Sequence, residues 1–230
     1  MRKLPPPSAA ARASHAPLQP RRGSKLAELL AEVRACTHCA EHLPLGPRPV
    51  LRAASGARVL VVGQAPGRKV HDTGIPWNDA SGDLLREWLG IDRDAFYDER
   101  CIAIAPAGFC YPGKGVSGDL PPRPECAPRW HPRLRPLLPR LTLTLLIGAY
   151  AQAYYLGADR KGSLADTVRA RADYLPAFFP LPHPSPRNRR WLRDRPWFAE
   201  EILPELRARF RAALEGGRQS AGRARGARVI

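Results

Sequence analysis

Short apolar runs bounded by Gly and Pro alternate along this chain with segments whose apolar residues recur three and four positions apart. Arg58-Val59-Leu60-Val61-Val62 is the first such run; with apolar side chains on both sides and β-branching, it reads as a strand buried on two faces. Cys101 to Ala105, Leu141 to Gly148 and Ala177 to Leu181 read the same way. Between them lie helical patterns. Ser24 is a natural N-cap for Leu26, Leu29, Leu30 and Val33, with the helix ending near Ala35. Ser81 to Gly90 places Leu84, Leu85, Trp88 and Leu89 inward and ends on a C-capping glycine. Further helices are expected over Ala149 to Leu156, over Ser163 to Arg171, and after Trp191, Trp197 and Phe198 as far as Leu214, with Ile202, Leu203, Leu206 and Phe210 in the core. Strands alternating with helices predict an α/β fold: three layers, α/β/α, around a central, mostly parallel sheet.

Two ends of the chain lack that pattern. Residues 1–23 mix Pro, Ala, Arg and Ser, and residues 215–230 are basic and Gly-rich; neither can bury enough apolar surface to offset the entropy of ordering. Both are expected to be flexible basic tails around a single domain spanning residues 24–214. The Gly- and Pro-rich stretch from Tyr111 to Arg129 shows no periodicity and is expected to be a long loop, which calls for an anchor.

Charge changes the picture more than composition does. The chain has 37 Lys+Arg against 21 Asp+Glu, a formal net charge of +16, and much of the excess lies in the body at positions such as Arg123, Arg129, Arg133, Arg187 and Arg190. A field of that sign attracts polyanions and makes nucleic acid the natural partner. No apolar run is long enough to span a bilayer, and the N-terminal stretch lacks the apolar centre of a secretory signal. Five cysteines, unevenly spaced, do not make a disulfide scaffold, so a reducing cytoplasm is the expected compartment; separately, a monomer is the expected state.

Gly63-Gln64-Ala65-Pro66-Gly67 follows the first strand, where open α/β sheets build ligand sites. Taken alone, such a pentapeptide is most often a turn. With glycines to let backbone amides approach a ligand, and with Trp77 to lie across it, the loop also suits a planar polar molecule. Cys36-Thr37-His38-Cys39 and the pair Cys110 and Cys126, with fifteen residues between them, supply four thiols. Zinc ribbons, redox dithiols and iron-sulfur proteins all use the short spacing, and tetrahedral thiolates suit either metal. Cys101 reads as a buried strand thiol, and His38 and His42 as exposed loop residues.

Over a longer span the chain resembles the iron-sulfur uracil-DNA glycosylases. Their first motif, Gly-Glu-Ala-Pro-Gly followed by Gly-x-Pro-Phe and then by a Gly and a Leu pair, is matched without a gap by Gly63 to Gly67, Gly74, Pro76, Trp77, Gly82, Leu84 and Leu85. Gln64 replaces the glutamate, as in the classical uracil-DNA glycosylases. Pro182-His183-Pro184-Ser185-Pro186-Arg187-Asn188 resembles the superfamily's closing motif. The resemblance implies a glycosylase that hydrolyses the bond to uracil, or to a related deaminated base, flipped out of single- or double-stranded DNA. It implies substrate contacts from Gly63, Gln64, Ala65, Gly67, Trp77 and His183. It gives His183 the role of stabilising the uracil anion, with Gln64 beside it, and gives DNA contacts to Ser185, Arg187 and Asn188. It makes Cys36, Cys39, Cys110 and Cys126 ligands of a 4Fe-4S cluster, zinc being the alternative. Departures are specific: Pro106 stands where the family has an asparagine on the uracil edge, and Ala65 and Val70-His71 replace acidic groups. Among the nearby Asp72, Asp79 and His71, Asp72 is the first choice for activating water. These losses leave a second reading, a glycosylase-like module that holds flipped or abasic nucleotides without hydrolysis.

Overall fold

The computed structural model describes residues 24–116 and 118–216. Of the expected tails, residues 1–23 and all of 215–230 but its first two residues lie outside the described residues; Glu215, placed in the tail, closes the last helix instead.

Val59–Val62 (β1) is buried at every position, and its side chains divide by parity: Leu60 and Val62 enter one core, Val59 and Val61 the other. It sits inside a four-stranded sheet with Ile102–Ile104 (β2) on one side, then Leu143–Ile147 (β5) and Phe178–Leu181 (β6) on the other, all parallel. The first core is closed by Lys25–Arg34 (α1), Cys126–Leu134 (α5) and Ala149–Leu156 (α6) through Leu29, Leu30, Val33, Trp130, Leu134 and Ala151. Opposite it, Ala80–Leu89 (α3) and Leu203–Glu215 (α9) contribute Leu85, Trp88, Leu89, Leu206 and Phe210, joined by Phe198 and Ile202. The three-layer α/β/α architecture is the expected one.

Capping follows the sequence with small shifts. Ser24 accepts from the Ala27 amide as foreseen, and α3, which begins one residue before the expected Ser81, is capped by Asp79 through a 2.8 Å bond from the Gly82 amide. Two short helices, Arg68–Thr73 (α2) and Arg93–Phe96 (α4), appear where no helix was expected. The supposed loop over 111–129 contains a two-stranded hairpin, Lys114–Gly115 (β3) with Gly118–Asp119 (β4), and the first turn of α5. Pro128 and Pro132 hid α5; Pro128 sits in its first turn, where no intrahelical N–H is required, and Ala127, Trp130, His131 and Leu134 carry its buried stripe. Leu164–Arg169 (α7) and Arg189–Arg193 (α8) complete the α-helices of the described residues.

His131 ties α5 to the sheet. Buried to 1% exposure, it donates Nε2–H to the Pro106 carbonyl at 3.0 Å, so Nδ1 accepts from the Tyr155 hydroxyl at 2.6 Å. Its ring stacks on Phe109. Burial lowers its pKa to about 4. The unfolded chain therefore takes up a proton first as pH falls. Stability from this group is whole above about pH 6.5 and is lost progressively toward pH 4, a total of about 3 kcal/mol. Denaturant midpoints measured from pH 7.5 to pH 4 should fall less steeply for His131→Gln than for wild type; equal slopes would show that this imidazole is not what titrates.

Candidate active site

Because all four strands run the same way, the loops that follow them leave from one edge, and the chain order reverses between β1 and β5, where open sheets form a crevice. Pairing continues past the strand ends. The Ala107 and Gly108 amides donate to the carbonyls of Gly63 and Gln64 at 2.9 Å, locking the loop after β1 to the loop after β2. On the other side the Gly148 amide donates to Leu181 at 2.9 Å, and the buried Gln152 side chain gives a second 2.9 Å bond to the same carbonyl. That holds the exit of β6 one residue before Pro182-His183.

These four loops enclose a cavity of about 590 Å³, large enough for a nucleoside. Gly63 to Gly67, Trp77 and His183 all line it, as do Ser185, Arg187 and Asn188. The amides of Ala65 and Gly67 donate to no described residue, so both can serve a ligand. Gln64 is partly committed, its Nε2 donating to the Leu120 carbonyl at 3.2 Å.

Trp77 is held in an unusual state. Its φ is +56°, its carbonyl accepts from Arg86 at 3.2 Å, and its indole fills the space where a Cβ on Gly63 would fall 2.7 Å from Cζ2. A Cβ on Gly82 would land 1.8 Å from the Trp77 carbonyl oxygen, which is why that helix position must be glycine. The indole stacks on His183, with centroids 5.6 Å apart and planes 30° off parallel. Two ring contacts of about 3.5 Å each would need roughly 7 Å. A planar ligand would therefore have to lie beside the Trp77–His183 pair, not between its members.

His183 is mostly buried, and burial lowers its pKa, with the Asp79 carboxylate opposing weakly; the imidazole is neutral near pH 7. Neither ring nitrogen is hydrogen-bonded to a described residue, whereas its carbonyl accepts from Asn188 Nδ2 at 2.8 Å. A neutral ring with one N–H to give is the outcome. Gly148, at φ +82°, lies so close that a Cβ there would come within 3.5 Å of His183 Cβ.

The structure corrects Asp72. It lies on α2, away from the cavity lining, with its carboxylate bonded to Arg68 Nε at 2.9 Å and largely in solvent. His71 likewise does not line the cavity. Two carboxylates do: Asp79, partly used as the cap of α3, and Asp119 on the hairpin. Asp119 was missed because its hairpin was read as loop. Burial raises its pKa, the Arg187 guanidinium opposes this, and Asp79 reinforces it. A Cβ on Gly67 would fall 3.3 Å from its Oδ2, so the motif glycine makes room for this side chain. Arg187 is also less free than expected, since a Cβ on Gly118 would lie 2.3 Å from its Nη1; it braces the hairpin. The Ser185 hydroxyl accepts from the Arg187 amide at 3.3 Å and caps its own turn.

A family model described as the uracil DNA glycosylase superfamily matches residues 51–207. The chain belongs to that superfamily. The match takes in both motif loops, the Asp119 hairpin and all four sheet strands. A hydrolase of the DNA glycosylase class is the activity that uracil DNA glycosylase membership carries, and no helix among the described residues is long and apolar enough to cross a membrane.

Cys36 and Cys39 precede the matched span, and Cys110 and Cys126 lie inside it, yet all four line a single second cavity. Burial pushes Cys110 up to about 11 and Cys126 up to about 12, with the neighbouring thiols adding to it, so as free thiols they stay protonated. The Phe109 amide donates to Cys126 Sγ at 3.3 Å. Among the described residues no group of three or more His, Cys, Asp or Glu side chains is already arranged to hold a metal ion. Four thiols lining one cavity, one of them already receiving an N–H, are a donor set whose chemistry suits an iron-sulfur cluster or zinc alike. Pro106 lines the base cavity with no polar side-chain atom, its carbonyl already taken by His131. Cys101, expected as a buried strand thiol, is half-buried against the second core just before β2, while His38 and His42 are exposed as expected.

Proposed function

We propose that the protein is a DNA glycosylase that takes one extruded base, uracil or a related deaminated base, into the 590 Å³ cavity and hydrolyses its N-glycosidic bond. The observation that carries this reading is the meeting of the free Ala65 and Gly67 amides with the neutral, unpartnered imidazole of His183 on that one cavity. As the bond between C1′ and the base nitrogen breaks, the base takes the electron pair and negative charge collects on its oxygens. A fixed N–H from His183 strengthens as that charge grows, and the loop amides add to it. A neutral imidazole serves as donor without having to be protonated first, the state that burial enforces.

Water must reach C1′ from the sugar side. Asp119 takes the role first given to Asp72: its carboxylate lines the cavity, holds the water and accepts its proton as the C–O bond forms. Extrusion costs a few kcal/mol, which the basic body of the protein offsets through the phosphates. Gln64 reads the base edge with its carbonyl oxygen, and Pro106 leaves the opposite edge unread. That absence favours the second reading, a module that holds the base without cleaving it.

A 4Fe-4S cluster on Cys36, Cys39, Cys110 and Cys126 is part of the proposal. Its support is the four thiols that line one cavity, zinc being the alternative. Bound there, the group supplies a cross-link between the segment after α1, the loop after β2 and the start of α5.

Single-turnover incubation with oligonucleotides carrying one uracil, followed by alkali, should show strand scission by wild type. His183→Ala should slow it about 100- to 1,000-fold, and Asp119→Asn about 100-fold, removing an acid limb set above the usual carboxylate range. Tight binding by wild type with no scission would establish the holding module instead; equal rates for wild type and His183→Ala would remove the anion stabiliser. Anaerobically purified protein should carry about four irons with matching sulfide, lost in Cys126→Ser; one zinc per chain and no iron would overturn the cluster.

A further inference from the structure

A second chamber, of about 310 Å³, adjoins the base cavity and shares Gln64, Tyr150, His183 and Asn188 with it. Its remaining wall is built from Gly148 and Ala149 at the start of α6, Leu164 of α7, Pro182, and Trp191 of α8. The mechanism uses none of these side chains. Two of its features are not those of a core. Tyr150, which borders both chambers, leaves 41% of its surface exposed, although Tyr154 and Tyr155 of the same helix pack against His131. Trp191 is only half-buried, and edge-type contacts with Trp197 and Phe198, at 5.9 and 6.0 Å between centroids, hold its indole in place.

Two aromatic rings, that of Trp191 held by its neighbours, with Leu and Pro between them and beside an Asn amide, suit a flat ring of mixed polarity. Extruding one nucleotide leaves its neighbour without a stacking partner, and the sugar-phosphate link keeps that neighbour close. The exposed guanidinium groups of Arg189 and Arg190, on the same helix as Trp191, match the charge of the strand that joins them. We propose that this chamber is a subsite for the base next to the extruded one, held as single-stranded DNA, with Tyr150 and Trp191 as its stacking platforms. The proposal rests on the reading of the larger cavity as the base site. Since stacking uses the face of a base and not its edge, the subsite accepts any of the four.

The test is binding without turnover. Fluorescence anisotropy would compare short single strands with a central, non-hydrolysable 2′-fluoroarabino-deoxyuridine, flanked either by thymidines or by tetrahydrofuran abasic spacers. Wild type should bind the thymidine-flanked strand about 5- to 100-fold more tightly. Tyr150→Ala should lose that preference, Tyr150→Phe should keep it, and Trp191→Ala should behave like Tyr150→Ala. Tyr150 is a surface residue, so its variant separates this outcome from misfolding in the Trp191 variant. Equal affinity of wild type for both strands, or an undiminished preference in Tyr150→Ala, would overturn the subsite. A third strand, with thymidine flanks and an abasic centre, tests the base site separately: affinity unchanged by removing the central base sinks that site whatever the flanks do.

Discussion

Parallel register is the constraint from which everything at this site follows. Val62 pairs with Leu146, Leu146 with Pro180 and Ile147 with Leu181, so β1, β5 and β6 finish level with one another. Loops 120 residues apart in sequence, Gly63 to Gly67 and Pro182 to Asn188, are thereby set on one cavity without any contact chosen for that purpose. Hydrogen bonds just beyond the strand ends then freeze the arrangement: the Ala107 and Gly108 amides on one flank, Gln152 and the Gly148 amide on the other. A slip of one residue in any strand would exchange the side chains facing the two cores, and the buried apolar runs on both faces forbid it only together with these polar locks.

How much of this was legible depended on whether the signal was local. The sheet strands and α1, α3 and α6 announce themselves by apolar pattern, and Gly63, Trp77 and His183 by a motif that carries its own turn chemistry. Asp119 carried no such signal: its hairpin is two residues per strand, too short for alternation, and is held by Leu120 bonding back to Gly113 and by Gln64 reaching its end. Asp72 was favoured for its proximity in sequence, but α2 turns its carboxylate to Arg68 and out of the cavity. The prolines of α5 suppressed a helix whose buried stripe, Ala127, Trp130, His131 and Leu134, was present all along. Gln152 and His131 were invisible for a different reason, since the value of a buried polar side chain lies in the carbonyl it meets.

The site also trades one kind of recognition for another. Pro106 cannot offer a side-chain amide to a base, and its carbonyl faces His131, so in the proposed complex the base edge would meet backbone amides, Gln64 and an imidazole kept neutral by burial. Trp77, strained at φ +56° and stacked on His183, fixes the ring that must aim its N–H. Rigidity here comes from packing and from loop-to-loop hydrogen bonds, and the proposed cross-link by four cysteines reinforces the flank that carries Phe109 and His131.

The most direct test of convergence on one base is a titration of uracil into isotopically labelled protein, followed by NMR. The Gly67 amide, the Trp77 indole N–H and the His183 imidazole should shift together and fit one dissociation constant. Movement of the Gly67 loop with His183 unmoved, or two separate dissociation constants, would contradict a single base site shared by the two loops.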